Sequence, residues 1–389
     1  MSAVADRAIA LLRGVRRQLL ASPWRSLRCR TAVVTLAGCE AAARLTLVGA
    51  GSSLDYVLSR LAPAGGVEQG RGGRVRLARL AAALEEGQSG SDLVVARVPR
   101  LPGAAFGLGG CLAAPELVDA VLCLNAPGRW PPRSARSNIR RIEQAGLSWS
   151  FSRRREDFDR FYRDLYVPYA RARFGAAAVL RSRMALRASF ARGGLQHFFR
   201  SGRLVAAQLV EIHDRQLDCV AVGAALDGSD PRRNGVMAAT TFYAVEHARS
   251  LGLDRVNLGG SLPSLTDPVL ASKLYWGFSL ASRPQSDHDL LFGWKRWSPA
   301  VAAVLAILVL IVRTPAGLVA LDARRSAGGA RGRRGLATGL ARLVRLDPPA
   351  GRAGADAAGA ALRGMSSPDL SRRLATLAAA PDDPAGCAA

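Results

Sequence analysis

Lysine is nearly absent from this 389-residue chain: of 54 basic side chains only Lys273 and Lys295 are lysines, and the rest are arginines. Acid is also short, at 30 residues, which leaves a formal charge of +24. An excess of that size suits an anionic partner such as nucleic acid, a membrane surface or a phosphate-bearing substrate. The six cysteines, at 29, 39, 111, 123, 219 and 387, include no C-x-x-C and no zinc-ligand spacing with histidine. That argues against a zinc module and a disulfide framework, and fits reduced thiols in a cytoplasmic protein. The four histidines, 197, 213, 247 and 288, are not spaced as metal ligands, so no metal is expected. No G-x-S-x-G elbow occurs, since Gly260-Ser261 runs into Leu262-Pro263. Gly49-Ala50-Gly51 lacks the third glycine of a dinucleotide fingerprint, where Leu54 stands. An RNA-recognition signature is missing as well. The first residues hold no clean apolar core, because Asp6, Arg7, Arg13, Arg16 and Arg17 interrupt them, so they do not read as a signal peptide.

What is there begins with hydrophobic content of 49%, enough for a large core, in a chain long enough for two or three domains. Residues 1–27 predict a basic amphipathic helix, with Ala5, Ile9, Leu12 and Leu19 at helical spacing, suited to an anionic membrane surface or to packing on its own domain. Ala32–Leu36, Arg44–Val48 and Leu93–Val98 predict strands, and Leu54–Leu61 and Val75–Leu84 predict helices. The turn-rich stretch Asn125–Ser134 marks a boundary between halves at 28–130 and 131–297. Ser134–Gly146 reads as a basic helix that Gly146 ends. Leu204–His213 and Gln216–Gly223 read as a hairpin about Asp214-Arg215. Asn234–Leu251 reads as a helix with Asn234 as N-cap and Gly252 past its end, and Asp254–Leu258 as the next strand. This mixture of strands and helices predicts an α/β (α+β) architecture. Residues 298–321 predict a hydrophobic helix, short for a bilayer span and followed by arginines, that either contacts the membrane or packs in a core. Residues 322–389 read as an Arg-rich segment and a low-complexity, disordered tail.

Candidate chemistry gathers in the second half. Lys273 is a primary amine followed by Tyr275, Trp276 and Gly277, and lysine offers a compact point charge that arginine does not. Period 2 puts Glu211 and His213 on one face of a strand, where either can serve as a base directly or through water. Arg136, Arg140 and Arg141 lie on the basic helix. They read either as a solvated face or as a clamp for phosphate groups. Arg232-Arg233-Asn234-Gly235-Val236-Met237 leads into a helix, where backbone N–H groups can receive a phosphate.

That last segment resembles the R/Q-x-x-G-x-G/A pyrophosphate loop of the GNAT acetyltransferases, with Arg232 and Gly235 matching and Met237 where Gly or Ala is usual. Ser134–Leu147 is similar to the basic helix of Fem-type aminoacyltransferases, a tandem-GNAT family, through Arg136, Ile139, Arg140, Arg141, Ala145 and Gly146. The G-G-S…D-P…K-x-x-W-G of Gly259–Gly277 resembles the end of CelD-like and BioF-like acetyltransferase domains, and Ser52–Tyr56 resembles their N-terminal half. The resemblance spans about Thr31 to Trp297. It implies tandem GNAT-like domains and acyl transfer from acetyl-CoA or another acyl-CoA. The acceptor would be an amine or hydroxyl of a cell-envelope or exported-polysaccharide precursor. Arg232, Asn234 and Gly235 would bind the cofactor, Arg136, Arg140, Arg141, Tyr275 and Trp276 the substrate. Lys273 would bind a phosphate or polarise the reacting carbonyl, and a splayed strand, matched here to Leu204–His213, would supply an oxyanion donor. Aminoacyl-tRNA as donor, and a catalytically degenerate scaffold in a membrane-associated complex, stay open beside it.

Overall fold

The computed structural model describes residues 26–36, 42–62, 66–76, 90–100, 112–126, 130–175, 178, 180–228, 230–231, 234–283, 286–294, 298–314, 317–323 and 338–345. In chain order the elements are β1 (Ser26–Thr35), β2 (Ala42–Val48), α1 (Ser52–Leu61), β3 (Val67–Arg76), β4 (Leu93–Pro99), β5 (Leu112–Pro115) and β6 (Val118–Cys123). Next come α2 (Arg136–Gln144), β7 (Leu147–Ser152), α3 (Arg155–Arg160), a π-helical turn (Phe161–Tyr166), α4 (Val167–Phe174), α5 (Arg183–Ala191), β8 (Gly193–Arg200), β9 (Arg203–His213) and β10 (Gln216–Ala224). The chain continues through α6 (Val236–Ser250), β11 (Arg255–Ser261), α7 (Pro268–Tyr275), β12 (Ser279–Ser282) and β13 (His288–Gly293). It closes with α8 (Pro299–Leu308), β14 (Leu310–Thr314), β15 (Gly317–Asp322) and β16 (Arg342–Arg345). Mixed sheets flanked by helices make this an α/β protein, as its alternating patterns predict. The elements fall into two compact units: the first takes residues 1–117, 262–267 and 282–389, the second 118–261 and 268–281.

In the first unit six strands run in the order β3-β1-β2-β4-β13-β5, with β2 and β4 parallel. Leu45, Leu47, Leu93 and Val95 on the sheet meet Leu54, Val57 and Leu61 of α1 in one core. The apolar run after residue 298 belongs to that core, which corrects the single hydrophobic helix over 298–321. Ser298 caps α8 by accepting from the Val301 N–H at 3.2 Å. The helix stops at Leu308, where Val309 turns left-handed (φ 40°). Ser264 Oγ and Thr266 Oγ1 donate to carbonyls of its last turn. The remaining apolar residues form the β14–β15 hairpin. Ala300, Val301, Val304, Leu305 and Leu308 are buried, each large side chain contributing roughly 1.5–3 kcal/mol. The β-branched Ile311, Val312 and Val319 favour strands over a longer helix. Among the described residues no helix is long and apolar enough to cross a membrane.

A charged cluster fixes the sheet end beside α1. Arg97 donates to both Glu116 oxygens at 2.6 and 3.1 Å and lies 3.1 Å from His288 Nδ1, while Ser53 Oγ donates to Glu116 at 2.9 Å. Burial alone would raise the Glu116 carboxyl, but hydrogen bonds and charge from Arg97, with Ser53 and His288, outweigh it and hold the carboxyl below its ordinary value. Gly49 has φ 111° and its absent Cβ would stand 2.7 Å from the Arg97 carbonyl oxygen, so this close approach requires glycine.

The second unit carries a seven-stranded sheet, β12-β6-β11-β10-β9-β8-β7. All its pairs with assigned direction are antiparallel except β10–β11. α6 covers one face through Ala239, Ala244, Val245 and Ala248, packed with Phe198, Val210, Leu217 and Val256. Phe158, Phe161, Leu165 and Leu186 meet Leu195, Ala207 and Leu209 in a separate cluster. The hairpin about Asp214-Arg215 forms as read, both residues taking positive φ (46° and 58°), the twist of a two-residue hairpin turn. Gly146 (φ 56°) ends α2 and Gly252 (φ 64°) follows α6, again as read. Three details differ. Gly235, left-handed at φ 81°, is the N-cap of α6 in place of Asn234, because the chain must reverse there and glycine does so without strain. Val75 and Arg76 close β3, and the rest of the predicted Val75–Leu84 helix lies outside the described residues. Ser26 and Leu27 open β1, while the rest of the amphipathic helix predicted over 1–27 and most of the 322–389 tail lie outside the described residues.

Candidate active site

β10 and β11 run parallel and pair only over Gln216–Asp218 and Arg255–Asn257. Both then continue, to Ala224 and Ser261, without pairing to each other. Each bulges at the parting. β10 slips register against β9 between Cys219 and Ala221, and β11 slips against β6 between Asn257 and Gly260. Gly259 makes the second bulge possible, with φ 72° and a missing Cβ that would lie 3.0 Å from the Cys219 carbonyl oxygen. Asn257 Oδ1 accepts from the Gly259 N–H at 2.9 Å and steadies the turn. Parallel strands that separate leave main-chain donors and acceptors on their facing edges without ladder partners, inside a sheet rather than at its rim. The strand that parts from its neighbour is thus Gln216–Ala224, not the expected Leu204–His213, which pairs with β8 as far as Glu211 and with β10 from Ala206 to His213.

Lys273 reaches this opening from α7. Its Nζ donates to the Gly259 carbonyl at 2.7 Å and the Gly260 carbonyl at 3.3 Å, locking the bulge and setting a positive charge beside it. Cys219 lies close enough to feel that charge, yet burial dominates and pushes its thiol well above the ordinary value. At neutral pH it is a thiol, and a thiol is a poor nucleophile.

Glu211 and His213 stand near each other on β9 but spend their polar atoms locally. Glu211 pairs with Arg192, and His213 Nε2 pairs with Asp218. Burial would raise the Glu211 carboxyl, whereas hydrogen bonds from Arg192 and Ser189 and the Arg192 charge bring it below its ordinary value. It is therefore ionised and a weak base. In register Glu211 faces Asp218, which faces Asn257, so the pair belongs to the closed end of the strands while Lys273 serves the open end.

The loop before α6 brings Asn234 and Gly235 to the helix start. Asn234 Oδ1 accepts from the Val236 N–H at 3.3 Å, and the Met237 N–H donates to the Pro231 carbonyl at 3.0 Å. Two first-turn amides are thus engaged within the loop. Gly235 has a packing reason as well, since a Cβ there would come within 3.2 Å of the Arg141 carbonyl oxygen on α2. Arg232 lies outside the described residues. On α2, Arg136, Arg140 and Arg141 are all exposed. Tyr275 joins them, its Oη 3.2 Å from Ser137 Oγ and its carbonyl accepting from Ser134 at 2.6 Å. Trp276 turns inward, 2% exposed and stacked 6.2 Å from Trp130, where it packs rather than meets solvent.

Sequence reasoning missed Cys219, Asn257 and Ser261 as residues of the opening. The available signal was the glycine pair inside the strand-like Val256–Ser261, since glycine within a strand marks a bulge or close backbone approach. Among the described residues no group of histidine, cysteine and acidic side chains could hold a metal ion.

No family model and no curated protein matches the chain. Among solved structures it is similar to L-PGS from Bacillus licheniformis (14% identity, 68% of this chain and 81% of that one, TM-score 0.34). It is similar to FemX as well (12% identity, 70% and 89%, TM-score 0.35). A third is a GCN5-related N-acetyltransferase from Sphaerobacter thermophilus (15% identity, 52% and 60%, TM-score 0.31).

Proposed function

We propose that the second unit is an acyltransferase whose reaction takes place where β10 and β11 part. The carrying observation is the three-residue parallel pairing that opens at two facing bulges, with Lys273 bonded to the carbonyls of one of them. Acyl transfer needs donors aimed at the oxygen that becomes negative. Unladdered amides on β10 and a nearby ammonium supply that kind of environment. In this reading Lys273 fixes the bulge and biases the local field, the exposed arginines of α2 hold an anionic acceptor or donor, and Tyr275 borders them. Glu211 and His213, committed to Arg192 and Asp218, act at most through water. The donor is acyl-CoA, with acetyl-CoA first, and the acceptor an amine or hydroxyl of an envelope or polysaccharide precursor. This choice rests on the Arg232–Met237 loop ahead of α6.

A second reading, aminoacyl-tRNA as donor, is favoured by a specific observation: the Val236 and Met237 amides are already engaged, while the arginines of α2 are open to solvent. The test is acetyl-CoA consumption, followed as thiol release with a panel of amino-sugar and polyamine acceptors, for wild type and Lys273→Ala. Turnover that the variant loses while folded supports the proposal. Turnover retained by the variant removes Lys273 from it, and transfer from alanyl-tRNA alone, read as deacylated tRNA with no thiol released from acetyl-CoA, moves the donor.

A further inference from the structure

The seryl hydroxyl that ends β11 has no assigned task in the opening. Ser261 is 4% exposed. Its Oγ is among the few buried side-chain atoms with no hydrogen-bond partner among the described residues. A buried hydroxyl without a partner forfeits its bonds to water and gains nothing in exchange, so native proteins rarely keep one without a use. Ser261 also stands at a built position. It lies past Asn257, the last residue of β11 that pairs with β10. The Gly259 bulge shifts its register so that it comes opposite Val118 of β6, and bulges of this kind re-aim the side chains that follow them. The carbonyl that Lys273 holds at 3.3 Å belongs to Gly260, the peptide unit that leads into Ser261.

We infer that the Ser261 hydroxyl receives the carbonyl oxygen of the transferred acyl group. This rests on the acyl-transfer reading above and adds the residue that recognises the acyl oxygen. When the acceptor's amine or hydroxyl forms its bond to the carbonyl carbon, the displaced electron pair resides on that oxygen, and Ser261 O–H donates to it. The pair returns as the bond to the leaving group breaks, and the leaving thiolate or tRNA alkoxide takes the acceptor's proton. Ser261 is neither acylated nor deprotonated. The ligand class is a thioester or ester carbonyl, for which a donor is required; threonine retains one and alanine does not.

The experiment uses the full chain and compares wild type, Ser261→Ala and Ser261→Thr. Calorimetry with acetyl-CoA and with CoA reads the acyl carbonyl separately from the rest of the donor. Wild type is expected to prefer acetyl-CoA, and Ser261→Ala to erase that preference, roughly tenfold for one hydrogen bond, with CoA affinity unchanged and Ser261→Thr intermediate. Without ligand, Ser261→Ala is expected to melt no lower than wild type, because it removes an unpartnered group. An unchanged acetyl-CoA to CoA ratio in Ser261→Ala overturns the inference, and so does a lowered melt, which would mean that the hydroxyl has a structural partner. If wild type binds neither probe, the acyl-CoA donor fails. The same ratio, taken between alanyl-tRNA and deacylated tRNA, then decides Ser261: lost in Ser261→Ala it sustains the inference, kept it overturns it.

Discussion

Replacing Lys273 with methionine keeps the aliphatic stem of the side chain and removes only the ammonium. The loss is two hydrogen bonds from a charged donor to main-chain carbonyls, at 2.7 and 3.3 Å. A bond to a charged group contributes about 1.5–3 kcal/mol when well formed. The second bond here is long and the side chain only half-buried, so the pair together should contribute about 2 kcal/mol to the second unit. For a unit of this size that lowers the melting transition by roughly 4–8 °C. Lys273→Arg keeps the charge but replaces a point donor with a longer planar fork, so it should recover only part of the loss. The assay pairs a thermal melt with hydrogen exchange read at Gly259–Ser261, whose amides should exchange faster in the methionine variant while those of α6 do not. A melt that stays in place with unchanged exchange would refute the claim that Lys273 holds the bulge, and with it the reason for placing the chemistry there.

Leu305→Ala, at a residue with no exposed surface, should destabilise the first unit by about 2–5 kcal/mol in a denaturant melt. Deleting residues 299–321 should unfold that unit rather than merely release a membrane contact, which circular dichroism of the deletion protein would show. Gly235→Ala should cost about 1–2 kcal/mol from its left-handed backbone alone, before any effect on a ligand. For pH, the folded Glu116 carboxyl titrates below its unfolded value. The unfolded chain therefore binds more protons between the two, so Glu116 contributes stability above the unfolded value and loses it as pH falls through the folded one. Glu116→Gln should flatten the acid limb of a stability–pH profile relative to wild type, and parallel limbs would contradict the Arg97–Glu116 pairing.

Local signals carried much of the fold. Gly146, Gly252 and the Asp214-Arg215 turn were legible because each marks a backbone reversal that few other residues serve. The apolar run after residue 298 misled because hydrophobicity says only that a segment is buried. Where it bends depends on Ser264 and Thr266, which satisfy the helix end from more than thirty residues upstream. The site was half legible. Lys273 stood out as a rare amine. The opening itself is a property of two strands far apart in sequence, one bulged at Cys219 and the other at Gly259. No periodicity in either strand alone reveals that they part. Trp276, which the resemblance put at the substrate, is a buried residue stacked on Trp130. Glu211 and His213 were correctly placed on one face, but their partners Arg192 and Asp218 come from register, which one strand does not specify.

The most direct test of the central claim is calorimetric titration of acetyl-CoA into the protein, beside Arg232→Ala. Micromolar binding that Arg232→Ala weakens at least tenfold, the scale of one lost charge-assisted phosphate contact, is the predicted result. Absence of heat at millimolar acetyl-CoA, from protein shown to be folded, would contradict the acyl-CoA donor.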